Sequence, residues 1–227
     1  MPHRFLKGFS GTLTCDGYGG YNEVENVTLA YCWAHVRRKF FDAIPKKNKN
    51  QAIPAVQAVQ QIDAWFRQEK KWQTLSPQER LVQRREEMKP QMEVFFDWLE
   101  TFTAVEKSKL AIAVHYVRNH RAGLERIFED GRLEMSNNRA ERAIKELVMG
   151  RKNWMHSTSL EGARTSGILL SLCQTAKANG LDPTRYLEFL FDRIPNLPTL
   201  TEEALDRLLP WTSEVQEKCC PLYQIKK

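Results

Sequence analysis

At 227 residues and 26.5 kDa the chain is long enough to bury a sizeable core, as one large domain or one domain with an insertion. Lys and Arg outnumber Asp and Glu by 34 to 28 and the isoelectric point is near 9.1, a mild basic excess that suits a polyanionic partner and equally an ordinary basic surface. Cys15, Cys32, Cys173, Cys219 and Cys220 form no CxxC pair and indicate neither a disulfide framework nor a zinc ribbon; no apolar run approaches the roughly 18 residues of a membrane span, and residues 1–10 carry no signal-peptide core, so the expectation is a reduced, cytoplasmic chain.

From Gly11 to Trp33, β-branched and apolar residues between Gly-rich turns predict two strands, Gly11 to Cys15 and Val27 to Cys32, the second running into a helix at Ala34 to Ile44. Strand, acidic turn, strand and helix make one piece of an α/β sheet. Past the lysine-rich loop Pro45 to Asn50, the chain reads as helix to about Asp130. Pro54 opens a helix with Val56, Val59, Ile62 and Phe66 along one face, and Ser76-Pro77-Gln78-Glu79 is a capping box. The helix it starts repeats Leu81, Arg85, Met88, Met92, Phe95, Leu99 and Phe102 at steps of three and four, a bundle-core seam or, less favoured, a dimer interface, with a kink expected at Pro90. A third helix, about Lys107 to Phe128, is expected to end on a left-handed residue at Asp130-Gly131.

A brief extended Leu133-Glu134-Met135 then leads to Asn137-Asn138 and a helix carrying Glu141. After the loop GRKNWMHSTS comes a helix from about Leu160 to Asn179, closed by Asn179-Gly180. Asp182-Pro183 caps another helix, Thr201 a last short one, and the tail after Trp211 has no strong pattern.

Two carboxylates stand out. Two-metal phosphodiester chemistry needs carboxylates that hold divalent ions about 3.5 to 4 Å apart, and Mg²⁺ takes few protein ligands while keeping several waters. Asp16, at a strand end and followed by Gly17, and Glu141, in the first turn of a helix 125 positions later, are placed for that work. Each has a plain local alternative: Asp16-Gly17 is a good turn dipeptide, and Asn138-Arg139-Ala140-Glu141 fits a capping box. Arg139, Arg142 and Lys145 share one side of the Glu141 helix, and Arg151, Lys152 and Trp154 follow. They read either as a phosphate-binding surface with Trp154 stacking on a base, or as a solvated cationic face with Trp154 in the core. Arg37, Arg38 and Lys39 allow the same pair of readings. His35 could touch a phosphate or the metal site, or be a hydrogen-bonded structural residue. His115, His120 and His156 lack the paired spacing of a zinc hydrolase, and neither GxSxG nor a P-loop lysine motif occurs.

The blocks CDGYGGYN, CWAHVRRKFFDA, SPQER, NNRAERAIK, GRKNWMHSTSLEGARTSGILLSLCQTAKANGLDPTRYL and LLPW, in this order from about Gly11 to Trp211, resemble the catalytic region of the insertion-sequence 66 family of transposases. The resemblance implies that Asp16 and Glu141 are the second and third carboxylates of an Asp-Asp-Glu site. It also implies a ribonuclease-H-like (integrase-like) fold, Mg²⁺ or Mn²⁺ as cofactor, and DNA ends and target as substrate. Other transposase subunits or proteins of the same element are its implied partners. In such an enzyme a water, then a DNA 3′-hydroxyl, attacks phosphodiesters in line with no covalent protein intermediate. The strands that bear the family's first Asp have no counterpart here: fifteen residues precede Asp16 and none is acidic.

The expectation is therefore a mainly helical α/β protein with an incomplete ribonuclease-H-like sheet over residues 1–48, a helical insertion over 51–130, the Glu141 helix and a helical carboxyl-terminal region over 131–212, and a tail over 213–227. It is read as a cytoplasmic, bacterial transposase fragment that is inactive alone. The alternative is a non-catalytic DNA-binding or regulatory remnant.

Overall fold

The computed structural model describes residues 2–46, 53–103, 105–154 and 157–221, the side chains of residues 146, 147 and 151–154 lying outside that description. The chain divides into two compact units, residues 1–141 and 142–227.

The first unit opens with a short helix α1 (Pro2–Phe5) and strands β1 (Gly11–Cys15) and β2 (Val27–Tyr31), whose Thr, Val, Leu and Tyr side chains suit a pleated surface. The strands run parallel, from Gly11 opposite Val27 to Cys15 opposite Tyr31, and the Cys32 N–H extends the ladder to the Cys15 carbonyl. Parallel pairing puts the carboxyl ends of both strands at one edge of the sheet. There β1 runs into Asp16 and β2 runs into α2 (Trp33–Asp42). Among the described residues β1 pairs on one side only.

The helices α3 (Pro54–Lys71), α5 (Lys89–Glu100) and α6 (Lys109–Leu124) pack on the buried face of α2, and α4 (Pro77–Gln83), which buries no side chain fully, lies in sequence between α3 and α5. Trp33, Val36 and Phe40 of α2 share one core with Ile62 and Trp65 of α3, Met92, Phe95, Phe96 and Leu99 of α5, and Val114 and Val117 of α6. Trp33 lies edge-on to Trp65 at 5.1 Å and anchors its indole N–H on the Leu124 carbonyl at 3.1 Å. The stretch 51–130 thus shares its core with the strand-bearing segment.

Several sequence expectations need correction here. Pro90 stands in the first turn of α5, directly after a π turn, Arg84–Met88, in which the Lys89 N–H reaches the Arg84 carbonyl five residues back. That turn offsets the seam, so Arg84 is fully buried and Arg85 exposed. The α-helix before Asp130 stops at Leu124, followed by a 3₁₀ turn, Glu125–Phe128. Gly131 is not left-handed. A Cβ there would collide with the Pro77 carbonyl at the start of α4, so close backbone approach selects the glycine. Residues 133–135 pair with no strand, although the Met135 carbonyl accepts the Trp33 N–H at 2.8 Å.

The capping box at Ser76 is present in both directions: Glu79 N–H to Ser76 Oγ at 3.3 Å, and Ser76 N–H to Glu79 Oε2 at 2.9 Å.

Helix α7 (Asn138–Trp154) carries Glu141, and the boundary between the units falls inside it. The second unit continues with α8 (Leu160–Ala178), α9 (Pro183–Arg193), α10 (Glu202–Asp206) and α11 (Ser213–Lys218). Helix α8 ends in a Schellman motif. Gly180, at φ +75°, donates to the Lys177 carbonyl, and Leu181 donates to that of Ala176 at 3.0 Å. Asp182 and Thr201 cap α9 and α10 as their sequence suggests. Ala176, Leu181, Tyr186, Leu190, Leu208, Val215 and Cys219 form this unit's own core, so Ser213–Lys218, within the stretch expected to have no pattern, is a packed helix.

Candidate functional site

The carboxyl edge of the strand pair gathers the chemistry. Asp16 follows β1 directly, is exposed, and turns back on itself: its Oδ1 accepts the Tyr18 N–H at 3.2 Å. The turn reading of Asp16-Gly17 is therefore correct as local structure, and it leaves the second carboxylate oxygen uncommitted. Gly17 sits at φ +82°, a left-handed conformation a side chain would strain. A Cβ at Gly17 would stand 2.9 Å from His120 Nε2 and 3.0 Å from the Tyr116 hydroxyl.

Glu141 reaches the same edge from α7. The Asn137 carbonyl accepts the Glu141 N–H at 3.1 Å, making Asn137 the cap residue and Glu141 the fourth residue of the helix. The capping box expected from Asn138 to Glu141 would need Glu141 one place earlier, and it does not form. The Glu141 carboxylate lies instead 3.7 Å from His35 Nε2, with Glu141 42% and His35 18% exposed. The Asn137 N–H points at the Cys32 Sγ at 3.4 Å, which ties the entry to α7 onto the end of β2. His35 Nδ1 and Asn137 Oδ1 are buried without a hydrogen-bond partner among the described residues. Burial raises the thiols of Cys15 and Cys32 above the ordinary cysteine value, so both behave as protonated, apolar wall.

The basic residues separate into engaged and open groups. Arg37 is committed to Asp63 through two hydrogen bonds, one of 3.0 Å, which removes it from the phosphate-binding reading. Lys39 Nζ stands 4.5 Å from the centre of the Tyr116 ring. Arg139 faces Glu134 at 3.5 Å, both largely exposed. Arg142 and Lys145 are exposed with no ion-pair partner among the described residues. The side chains of Arg151, Lys152 and Trp154 lie outside the described residues, as does His156.

Tyr116 and His120 were legible in the sequence only as a Tyr and a His four residues apart on a helix, a spacing that places them on one face but names no function. The structure brings both onto the Asp16 turn. Tyr116 donates its hydroxyl to the Asp16 carbonyl at 2.8 Å, and burial, then the neighbouring Cys32 and Asp16, hold that hydroxyl above the ordinary tyrosine range.

As donors, the two carboxylates suit a hard divalent cation: both offer solvent-accessible oxygens, and neither meets a Lys or Arg among the described residues. No group of three or more His, Cys, Asp or Glu able to hold a metal ion occurs among the described residues.

Two family models match this chain in succession, that of the IS66 family transposase over residues 1–165 and that of the IS66 carboxyl-terminal element over residues 171–211. The chain belongs to the IS66 transposase family. Among curated relatives, the uncharacterized proteins y4hP and y4qI of Sinorhizobium fredii are 32% and 34% identical to it over 228 and 220 aligned residues. Each alignment covers 92% of this chain but 41% and 40% of those proteins, so the chain spans about two fifths of the relatives it matches. No solved structure gives a significant match. What is shown of this IS66 chain's fold is a mainly helical architecture with a small parallel sheet, and no described helix is long and apolar enough to cross a membrane.

Proposed function

We propose that this chain is the carboxyl-terminal catalytic portion of an IS66-type DNA transposase, with Asp16 and Glu141 as two of its three metal-binding carboxylates. The observation that carries the reading is the placement of exposed Asp16 directly after β1 and of Glu141 against His35, near the start of the helix that follows β2, although the two carboxylates stand 125 positions apart in sequence. A ribonuclease-H-like sheet is the fold we assign to the complete enzyme. The edge of β1 that is unpaired among the described residues is where further strands, including one bearing the first Asp, would continue it.

In this reading Asp16 and Glu141 would hold Mg²⁺ or Mn²⁺, which would supply charge stabilisation to the attacking and leaving oxygens of an in-line displacement on DNA. His35, with its Nε2 3.7 Å from the Glu141 carboxylate, would help to orient that side chain. The orphaned His35 Nδ1 and Asn137 Oδ1 are both buried and leave hydrogen-bonding capacity for an enclosed water, which would have to donate to the Asn137 oxygen. Arg139, Arg142 and Lys145 on α7, with Arg151, Lys152 and Trp154 further along it, supply the DNA-binding face. The protein works on DNA in the bacterial cytoplasm, with other subunits or proteins of the same element as partners.

A second reading, a DNA-binding or regulatory remnant that does not cut, is favoured for the chain acting alone by the absence of a three-ligand cluster among the described residues. Two carboxylates hold a pair of mutually repelling cations weakly. Purified chain incubated with element-end DNA in Mg²⁺ or Mn²⁺, beside Glu141→Ala, separates the two. The expected result is no strand transfer and at most trace nicking. Robust cleavage that disappears in Glu141→Ala would overturn the remnant reading and show that another residue completes the site.

A further inference from the structure

We infer that Tyr116 and His120, four residues apart on α6, are positioning residues for Asp16, so that the helical stretch between the two carboxylates builds one wall of the site. The inference rests on the reading of Asp16 as a metal-binding carboxylate. The Asp16 carbonyl belongs to the peptide plane joining Asp16 to Gly17, so a hydrogen bond to it restrains ψ of Asp16 and φ of Gly17 together. Tyr116 makes that bond at 2.8 Å, and Gly17 is found at φ +82°.

His120 holds the donor in place. A carbonyl only accepts, so the 2.7 Å contact to the Tyr116 carbonyl requires the hydrogen on His120 Nδ1. The imidazole then stacks on the Tyr116 ring at 4.2 Å and receives the Tyr31 ring edge-on at 4.5 Å. Its Nε2 abuts Gly17, where a Cβ would stand 2.9 Å away and force the ring to move. The turn thus has two supports: the hydroxyl from Tyr116 and the ring edge of His120. With the peptide plane held, Asp16 Oδ1 meets the Tyr18 N–H and the second oxygen keeps one direction. The Tyr116 bond lies at an exposed turn, where a single hydrogen bond adds little to global stability. Its consequence is orientation.

The test uses the full chain with Tyr116→Phe, which removes only the hydroxyl, and His120→Phe, which keeps a ring between Tyr116 and Tyr31. Mn²⁺ affinity is read by electron paramagnetic resonance, amide exchange at Tyr18 by NMR, and the thermal midpoint alongside. For Tyr116→Phe we expect Mn²⁺ to bind about tenfold more weakly, as for loss of an outer-shell partner. Tyr18 exchange should rise severalfold while the midpoint barely moves. His120→Phe should shift both readouts the same way by less, and its failure to move either would remove His120 from the device. Unchanged Tyr18 exchange in Tyr116→Phe overturns the inference, as does faster exchange at wild-type Mn²⁺ affinity or a general loss of stability that accelerates every amide. If the unaltered chain binds no Mn²⁺, the metal reading of Asp16 falls by itself. The Tyr18 exchange and the carboxyl ¹³C shift of Asp16 then decide whether Tyr116 holds the side chain.

Discussion

Arg84 and Glu69 form a buried, two-pronged ion pair: Arg84 Nε and Nη2 reach the two Glu69 oxygens at 2.9 and 2.5 Å, with the arginine side chain fully enclosed. The same guanidinium also donates to the carbonyls of Ile127, Asp130 and Leu133 at 3.1, 3.3 and 2.7 Å. One side chain therefore ties α3 and the π turn to the segment that leads, through the Met135 hydrogen bond with Trp33, to the Glu141 helix.

Removing either partner leaves a charge buried and unpaired. Arg84→Met or Glu69→Gln is expected to cost about 3–5 kcal/mol in denaturant unfolding. Arg84→Lys should recover little of this, since an ammonium lacks the planar fork that serves two carboxylate oxygens and three carbonyls at once. The double variant Arg84→Met with Glu69→Gln should lose clearly less than the sum of the two single losses.

Two glycines separate steric approach from backbone conformation. Gly131→Ala drives a methyl into the backbone of Pro77 and should destabilise by roughly 3 kcal/mol, through displacement of a segment that cannot give way. Gly180→Ala has open space and only the left-handed strain to bear, about 1 kcal/mol. Gly180→Asn should fall closer to wild type, whereas Gly131→Asn should be at least as damaging as the alanine. Chemical denaturation of the four variants distinguishes the two causes.

The capping box on α4 makes a pH-dependent contribution. The hydrogen bonds from Ser76 lower the Glu79 carboxyl below the ordinary glutamate value of 4.5. A lowered folded value means that the contribution is complete above the unfolded value and is lost as pH falls through the folded one. The melting difference between the native chain and Glu79→Gln should therefore be largest near neutrality and vanish in acid below the glutamate range. Ser76→Ala should cost about 1 kcal/mol at neutral pH.

DNA binding should be governed by counterion release. Affinity for duplex DNA should fall steeply with salt, and replacing Arg142, Lys145, Arg151 and Lys152 together by Gln should reduce the logarithmic salt slope by about 0.9 for each phosphate that is no longer neutralised. A filter-binding or anisotropy titration at several salt concentrations measures it. An unchanged slope would place the DNA surface elsewhere.

Much of the architecture was readable from residues that act on their immediate neighbours. The β-branched and apolar residues from Gly11 to Tyr31, the Ser76 box, Pro54 and Pro183 at helix starts, and the Asn179-Gly180 stop each act through backbone preference or hydrogen bonds within a few positions, so they could be placed without knowing the fold. The ordered blocks around Asp16 and Glu141 likewise pointed to the transposase family that the family models match.

Other features depended on partners far along the chain. Whether Gly131 is left-handed or merely crowded depends on Pro77, more than fifty positions away. Whether Arg84 or Arg85 enters the core depends on a π turn that local propensity does not announce, and on Glu69 and three carbonyls waiting inside. Glu141 left its expected capping role because Asn137 took the cap and His35, from another helix, stood opposite. Tyr116 and His120 gained a role only when α6 packed behind the Asp16 turn. Short-range hydrogen bonding and periodicity are written into neighbouring residues and persist in any context. The burial of a charge, the clearance beside a glycine and the pairing of Glu141 with His35 are set by surfaces that exist only after distant segments have packed, and so they belong to the tertiary structure.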